Sequence, residues 1–150
     1  MKRFLNHSEA LALIRQGRFA ELRAAYMTEH FRWGEAVHNR SDAAVGLLAD
    51  RPHYLLNAYN LAHMMEVVRG ICGHRSVTVT SWWRDPASNK AVGGASSSRH
   101  LIGEGVDFTV AGLTPQQVQR LLDPVWPGGL GYGGTFTHLD KRKKRVRFPY

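Results

Sequence analysis

The hydrophobic period changes at Gly73, and this change bounds the fold more tightly than any other feature of the chain. Before it, Leu55, Leu56, Tyr59, Ala62, Met65 and Val68 recur at helical spacing and predict one long helix from Pro52 to about Cys72. After it, Val77 and Val79 alternate with Thr78 and Thr80 in a β-rich run that ends at Trp82. The 150 residues therefore read as a helical first half and a strand-and-loop second half. A chain of this length with 43% hydrophobic side chains is expected to form one globular domain, residues 1–150, with a core that needs no disulfide.

Local signals place the flanking elements. Asn6 with Glu9 three residues on has the form of an N-cap box, and Leu11, Ile14 and then Gly17 mark a short amphipathic helix and its stop. Phe19, Leu22 and Tyr26 predict a second helix, so residues 1 to about 30 form a helical extension. The Met64-Met65 pair is read as core filling. Asp85 to Arg99, rich in Ser, Gly and Ala and without hydrophobic period, predicts a long ordered loop, and such loops are usually functional or disordered. Val106, Phe108 and Val110 predict a strand around Asp107, and Thr114-Pro115-Gln116-Gln117 starts a capped helix reaching about Asp123. Gly128 to Gly134 reads as a turn-rich approach to a last strand, whose alternation puts Phe136, His138 and Asp140 on one face.

Composition works by exclusion. Lys and Arg number 20 against 12 Asp and Glu, but six of the basic residues lie in 141–150, which contains no acid. Without them, 14 basic residues face 12 acids, so the charge belongs to a basic C-terminal tail, 141–150, and not to the body of the domain. Such a run is either a solvated edge or a contact for an anionic polymer. Nucleic acid is a poor candidate, because no basic-aromatic recognition motif accompanies the run. The lone Cys72 excludes an intramolecular disulfide and a multi-cysteine zinc site, so any metal site must use His and carboxylates. No apolar run reaches the roughly 20 residues of a membrane span. Asn6, His7 and Glu9 interrupt what would be the apolar segment of a signal peptide, so synthesis in the cytoplasm is expected, with delivery elsewhere by another protein.

Chemistry concentrates between Ser98 and Asp107, where His100 and Asp107 stand seven residues apart with Gly103 and Gly105 between them. Imidazole and carboxylate are both good zinc ligands, and a glycine turn lets them converge. His138, on the later strand, can supply a third ligand from across the sheet. Three protein ligands leave a fourth tetrahedral position for water, as in catalytic zinc sites. His7, His30, His38, His53, His63 and His74 have no such setting and are expected to be structural or solvated. Trp82 and Trp83 are read as core or rim packing, with a peptide groove as the alternative. Tyr132 is either a phenol that stabilises an oxyanion or a packing plug.

These residues carry a resemblance. Thr80-Ser-Trp-Trp-Arg84, Asn89-Lys-Ala-Val-Gly-Gly94, Ser98-x-His100-x-x-Gly103-x-Gly105-x-Asp107 and His138-x-Asp140 resemble the M15 peptidase family in order and spacing, as does the looser Phe31-x-Trp33-x-Glu35. The resemblance runs from about Phe31 to Asp140. That family contains zinc D-Ala-D-Ala carboxypeptidases and phage peptidoglycan peptidases. The resemblance implies an α+β fold with a small central antiparallel sheet flanked by helices, shared with the signalling domain of hedgehog proteins. It implies Zn2+ held by His100, Asp107 and His138, with Arg84 and Ser98 binding the carboxylate and backbone of a peptidoglycan peptide. Arg84 suits that role, since a guanidinium fork pairs bidentately with a carboxylate. The implied action is at the cell wall, after release or as part of a virion, with an anionic cell-envelope polymer as the partner of the basic tail.

Two positions depart from the family pattern. Gly105 stands where an Ala is usual, a mild change, and Thr135 stands where many members carry an acid three residues before the last ligand His. Asp140 is the nearest carboxylate and the candidate catalytic residue, either activating the zinc-bound water or only orienting a ligand; Glu104 is a weaker candidate. The missing acid motivates an alternative, a non-catalytic zinc-stabilised binding or phage structural module on the same fold.

Overall fold

The computed structural model describes residues 1–150. The first half is built from helices α1 (His7–Arg15), α2 (Phe19–Ala24), α3 (Trp33–Ala36), α4 (Asp42–Gly46) and α5 (Pro52–Ile71), with a two-stranded hairpin, β1 (Tyr26–Thr28) and β2 (Phe31–Arg32), inserted after α2. The Asn6–Glu9 capping box starts α1, as its residues predict. Helix α2 stops earlier than predicted, because Ala25 turns extended and Tyr26 joins β1.

Helix α5 forms over the predicted span and buries four of the six expected residues, with Ala58 and Leu61 inward in place of Leu56 and Tyr59. Leu55, Ala58, Leu61, Ala62, Met65 and Val68 face inward, while Leu56 is exposed and Tyr59 half-buried. Spacings of three and four through Ala58 and Leu61 place this stripe against the domain core. Leu5, Leu13, Leu22 and Met27 belong to the same continuous core as α5 and the sheet, so the first 30 residues are packed into the domain and do not project from it.

The second half carries β3 (Val77–Ser81), β4 (Gly105–Val110), β5 (Gly129–Tyr132), β6 (Thr137–Asp140) and β7 (Val146–Pro149), with α6 (Pro86–Ala91) and α7 (Pro115–Leu122) between them. The strand order is β3-β4-β6-β5-β7. All pairings are antiparallel except β5 with β7, which is parallel. The architecture is the expected α+β, with one parallel joint at the sheet edge.

Three segments differ from expectation. The stretch Asp85 to Arg99 is not all loop, for Asp85 caps α6 through the Ser88 amide and Pro86 occupies its first turn. Gly129 to Tyr132 forms β5 and is no mere turn. Residues 141–150 are not a free basic tail, since β7 pairs along β5, Arg142 binds Asp140, and Arg147 binds Asp123. Charge in the sequence masked a strand that needs β5 as its partner. Because β7 is an edge strand, Pro149 forfeits no interior ladder bond.

The connection 141–145 passes over the beginning of β5, which lies between β6 and β7. Gly129 sits under this crossing. A Cβ there would stand 2.6 Å from Arg142 Nε, so glycine is what lets the Asp140–Arg142 pair close over the strand.

Candidate metal centre

Strand register brings two of the expected ligands together. Asp107 on β4 lies directly opposite His138 on β6, so their side chains share a face. His100 arrives from the 3-10 turn Arg99–Ile102, capped at its start by Ser98 Oγ and ended by Gly103 at φ 79°. A side chain at Gly103 would be strained by that φ and would meet the Tyr54 carbonyl at 2.6 Å. Trp82 and Trp83 are buried, and their indole N–H groups donate to the carbonyls of Gly103 and Leu101. Their packing reading holds, and they fix the turn that carries His100.

His100, Asp107 and His138 are buried, and their ligand atoms lie within 4.8 Å of one another. For neutral rings, the outer hydrogen bonds select the tautomers. His100 Nδ1 is 2.6 Å from the Trp82 carbonyl, which only accepts, so the proton is on Nδ1 and the Nε2 lone pair turns toward Asp107, 3.2 Å away. His138 Nε2 donates to Asp140 Oδ2 at 2.8 Å, which leaves the Nδ1 lone pair 2.8 Å from Asp107 Oδ1. Without an ion these two contacts need the proton of a charged imidazole, and a cation between the three groups would take that proton's place. The donor set therefore fits a metal ion with nitrogen and oxygen ligands.

Electrostatics agree with the geometry. Burial alone would push the Asp107 pKa up, but its bonds to His100 and His138 hold it below the usual carboxylate range. Burial would push His138 down, yet Asp107 and Asp140 on its two sides raise it. The centre favours positive charge.

Asp140 lies behind His138, on the opposite side of the ring from the converging ligand atoms. It is fully buried, and it accepts from His138, the Gly129 amide and both Nε and Nη2 of Arg142, the last two at 2.7 Å. Burial opposes its ionisation, but His138 and Arg142 outweigh that and keep its carboxyl well below the usual range. Asp140 is not among the residues that line the cleft, and of the two roles left open for it these contacts favour orienting His138 over handling protons on substrate.

Beside the centre runs a cleft lined by Arg84, Ser98, Arg99, Phe136, Arg142, Phe148 and Tyr150, among others, with His138 at its floor. Arg84 and Ser98 are thus both at the cleft. Arg84 is already engaged, with Nε on Ser81 Oγ at 3.0 Å and Nη2 on Asp107 Oδ2 at 3.3 Å; only Nη1, 3.5 Å from Asn89 Oδ1, is loosely held. Glu104 pairs with Arg99 at 3.4 Å and is not among the cleft residues, nor is Tyr132, whose hydroxyl binds Asp123. Thr135 lines a second cavity beside Asp107. Neither cavity has any carboxylate in its wall other than Asp107.

Sequence reasoning missed Arg142, Phe148 and Tyr150. Arg142 lies over the Phe148 ring, 5.0 Å from its centroid, and the Tyr150 ring stacks on His138 with centroids 4.5 Å apart. Alternation of Val146, Phe148 and Tyr150 was the available signal, hidden by the charges between them. Burial and Asp107 push the Tyr150 phenol up to about 12.

A family model described as Peptidase M15 matches residues 29–140, which is most of the chain and includes all three converging ligands. The chain belongs to the M15 peptidase family. This M15 peptidase is also 31% identical over 83 residues to a Haemophilus influenzae protein named "Probable peptidoglycan L,D-endopeptidase MepK". The aligned part covers 54% of the chain and 42% of that relative, so this M15 peptidase spans less than half of the longer protein. No helix in it is long and apolar enough to cross a membrane.

Proposed function

We propose that this M15 peptidase is a zinc enzyme that hydrolyses a peptide bond in the peptidoglycan stem or cross-link, next to a D-amino acid. The observation that carries the reading is the convergence of His100 Nε2, His138 Nδ1 and Asp107 with both tautomers set by Trp82 and Asp140. Zinc held there would polarise the scissile carbonyl and lower the pKa of a bound water. Family membership and the name of the Haemophilus relative support peptidoglycan as the substrate and the cell wall as the place of action.

The chain's own groups have distinct tasks in this reading. Asp140 holds His138 in the ligating tautomer, the arrangement that orients metal-bound imidazoles in many sites. Arg84 steadies Asp107 through Nη2 and offers Nη1 to a substrate carboxylate. Ser98 positions His100 through its amide and borders the cleft where a peptide backbone would lie. Lys143, Lys144 and Arg145, exposed beyond the cleft, would attract an anionic envelope polymer.

One observation favours the alternative of a non-catalytic zinc-stabilised binding module, for the cleft wall holds no carboxylate to act as base. The two readings part in one experiment. Purified peptidoglycan from several bacterial types is incubated with zinc-loaded protein, with and without a chelator, and the fragments are weighed by mass spectrometry. Chelator-sensitive release of peptide fragments is expected. Bound zinc with no release from any wall would leave the binding module.

A further inference from the structure

We infer that the Tyr150 hydroxyl is a fourth donor to the metal held by His100, Asp107 and His138, so that the resting centre is closed by the chain's own β7 segment. The inference rests on the metal-binding part of the reading above, and it replaces the open fourth position with one that substrate must clear.

Distances carry it. Metal bonds of about 2.0–2.1 Å at tetrahedral angles put donor atoms roughly 3.3–3.4 Å apart. His100 Nε2 and Asp107 Oδ1 are 3.2 Å apart, the Tyr150 hydroxyl is 3.0 Å from His100 Nε2, and it is 3.4 Å from Asp107 Oδ2. The phenol oxygen therefore stands at ligand-to-ligand spacing from His100 Nε2 and from the second oxygen of Asp107, Oδ2, while both histidines meet Oδ1.

Proton bookkeeping points the same way. A phenol has one proton, yet here it faces both His100 Nε2, a lone pair in the neutral tautomer selected by the Trp82 carbonyl, and the Asp107 carboxylate, so hydrogen bonding can satisfy only one of them. A cation would satisfy all of the donors at once. On coordination the phenolic proton leaves to solvent and the freed lone pair forms the bond to the metal; nothing is oxidised or reduced.

The placement is held from several sides. Tyr150 N–H donates to the Tyr132 carbonyl at 3.3 Å and extends the β5–β7 pairing by one residue. Its ring is stacked on His138 and meets Phe136 edge-on at 5.4 Å. Tyr150 lies beyond the residues 29–140 matched by the family model.

Copper(II) is the probe, because a phenolate bound to it gives a visible charge-transfer absorption that histidine and carboxylate ligands do not. Copper-loaded wild-type protein is expected to show the band, and Tyr150→Phe to bind one equivalent of copper without it. Zinc affinity, read by competition with a chromophoric chelator, should fall on the order of 10-fold or more in the variant. Should Tyr150→Phe fail to fold, the wild-type band alone carries the assignment, since no other tyrosine hydroxyl contacts a ligand atom. Copper bound without the band, or a band and zinc affinity unchanged in the folded variant, overturns the inference while leaving the zinc reading intact. A wild type that binds neither metal overturns both.

Discussion

Asp140 shows how much of a buried polar centre is spent on holding one histidine still. Its oxygens accept from His138, Gly129 and the Arg142 fork, so the charge of a fully buried carboxylate is matched by an arginine on one side and an imidazole N–H on the other. Removing such a partner weakens metal affinity by roughly 10- to 100-fold, whereas removing a general base costs about 10²- to 10⁴-fold in rate with the metal intact. Asp140→Asn is therefore expected to bind zinc more weakly and to regain much of its activity in excess zinc. Wild-type affinity with lost turnover would return Asp140 to the role of base. Arg84 permits a similar separation, because Nε and Nη2 are committed to Ser81 and Asp107. Lysine has no fork with which to keep both contacts, so Arg84→Lys should weaken zinc affinity by roughly 10-fold; a raised KM with unchanged zinc affinity would assign Arg84 to the substrate alone. The convergence of His100, Asp107 and His138 was legible in the sequence because glycine spacing and strand alternation are local. Tyr150 was not, because its meeting with His100 depends on a long-range strand pairing.

Among the elements, helix α6 illustrates a signal present but unread. Asp85 followed by Pro86 and Ser88 is an N-cap with proline in the first turn, the same grammar as Thr114-Pro115, but no apolar stripe follows it. Burial works against ionisation of Asp85, yet the Ser88 hydroxyl and amide together with Arg40 lower its pKa. A folded pKa below the unfolded one means a contribution that is complete above the ordinary carboxylate range and disappears as pH falls through the folded value. Asp85→Ala should cost about 1 kcal/mol at neutral pH in urea unfolding, and the gap from wild type should close in acid. A gap independent of pH would show that packing, not the ionised cap, accounts for it. Strand β5 was unreadable for another reason. Its Gly129 and Gly131 bring no side chains to a hydrophobic pattern, and Gly129 is needed for an approach by Arg142 that no local rule reveals. Helix α5 follows the expected face at Leu55, Ala62, Met65 and Val68 and departs from it at Leu56 and Tyr59, which are apolar without being buried.

For the molecule as a whole, the segment after Asp140 is structural material. Arg147 alone reaches Asp123 Oδ1 at 2.8 Å, the Trp126 carbonyl at 2.7 Å and the Gly128 carbonyl at 2.9 Å. Deleting 141–150 is expected to lower the unfolding free energy measured in urea by far more than the roughly 0.5 kcal/mol of an ordinary surface change, and a truncated chain as stable as wild type would mean that β7 is only loosely attached. Metal should tie the same parts together, since its ligands come from the 3-10 turn, β4 and β6. At 100 times its Kd, zinc adds about 2.7 kcal/mol. For a domain of this size that is roughly 5–10 °C in Tm, removable by chelation. The crossing of 141–145 over the start of β5 also dictates an order of events in time. Strand β5 must already lie against β6 before the crossing can close over it and deliver β7 to its outer side. Docking of β7 is therefore expected to fall after the rate-limiting barrier. Substitutions such as Val146→Ala or Phe148→Leu should leave the refolding rate unchanged and speed unfolding, with φ-values near zero, so the centre is completed last when the chain folds and comes apart first when it opens.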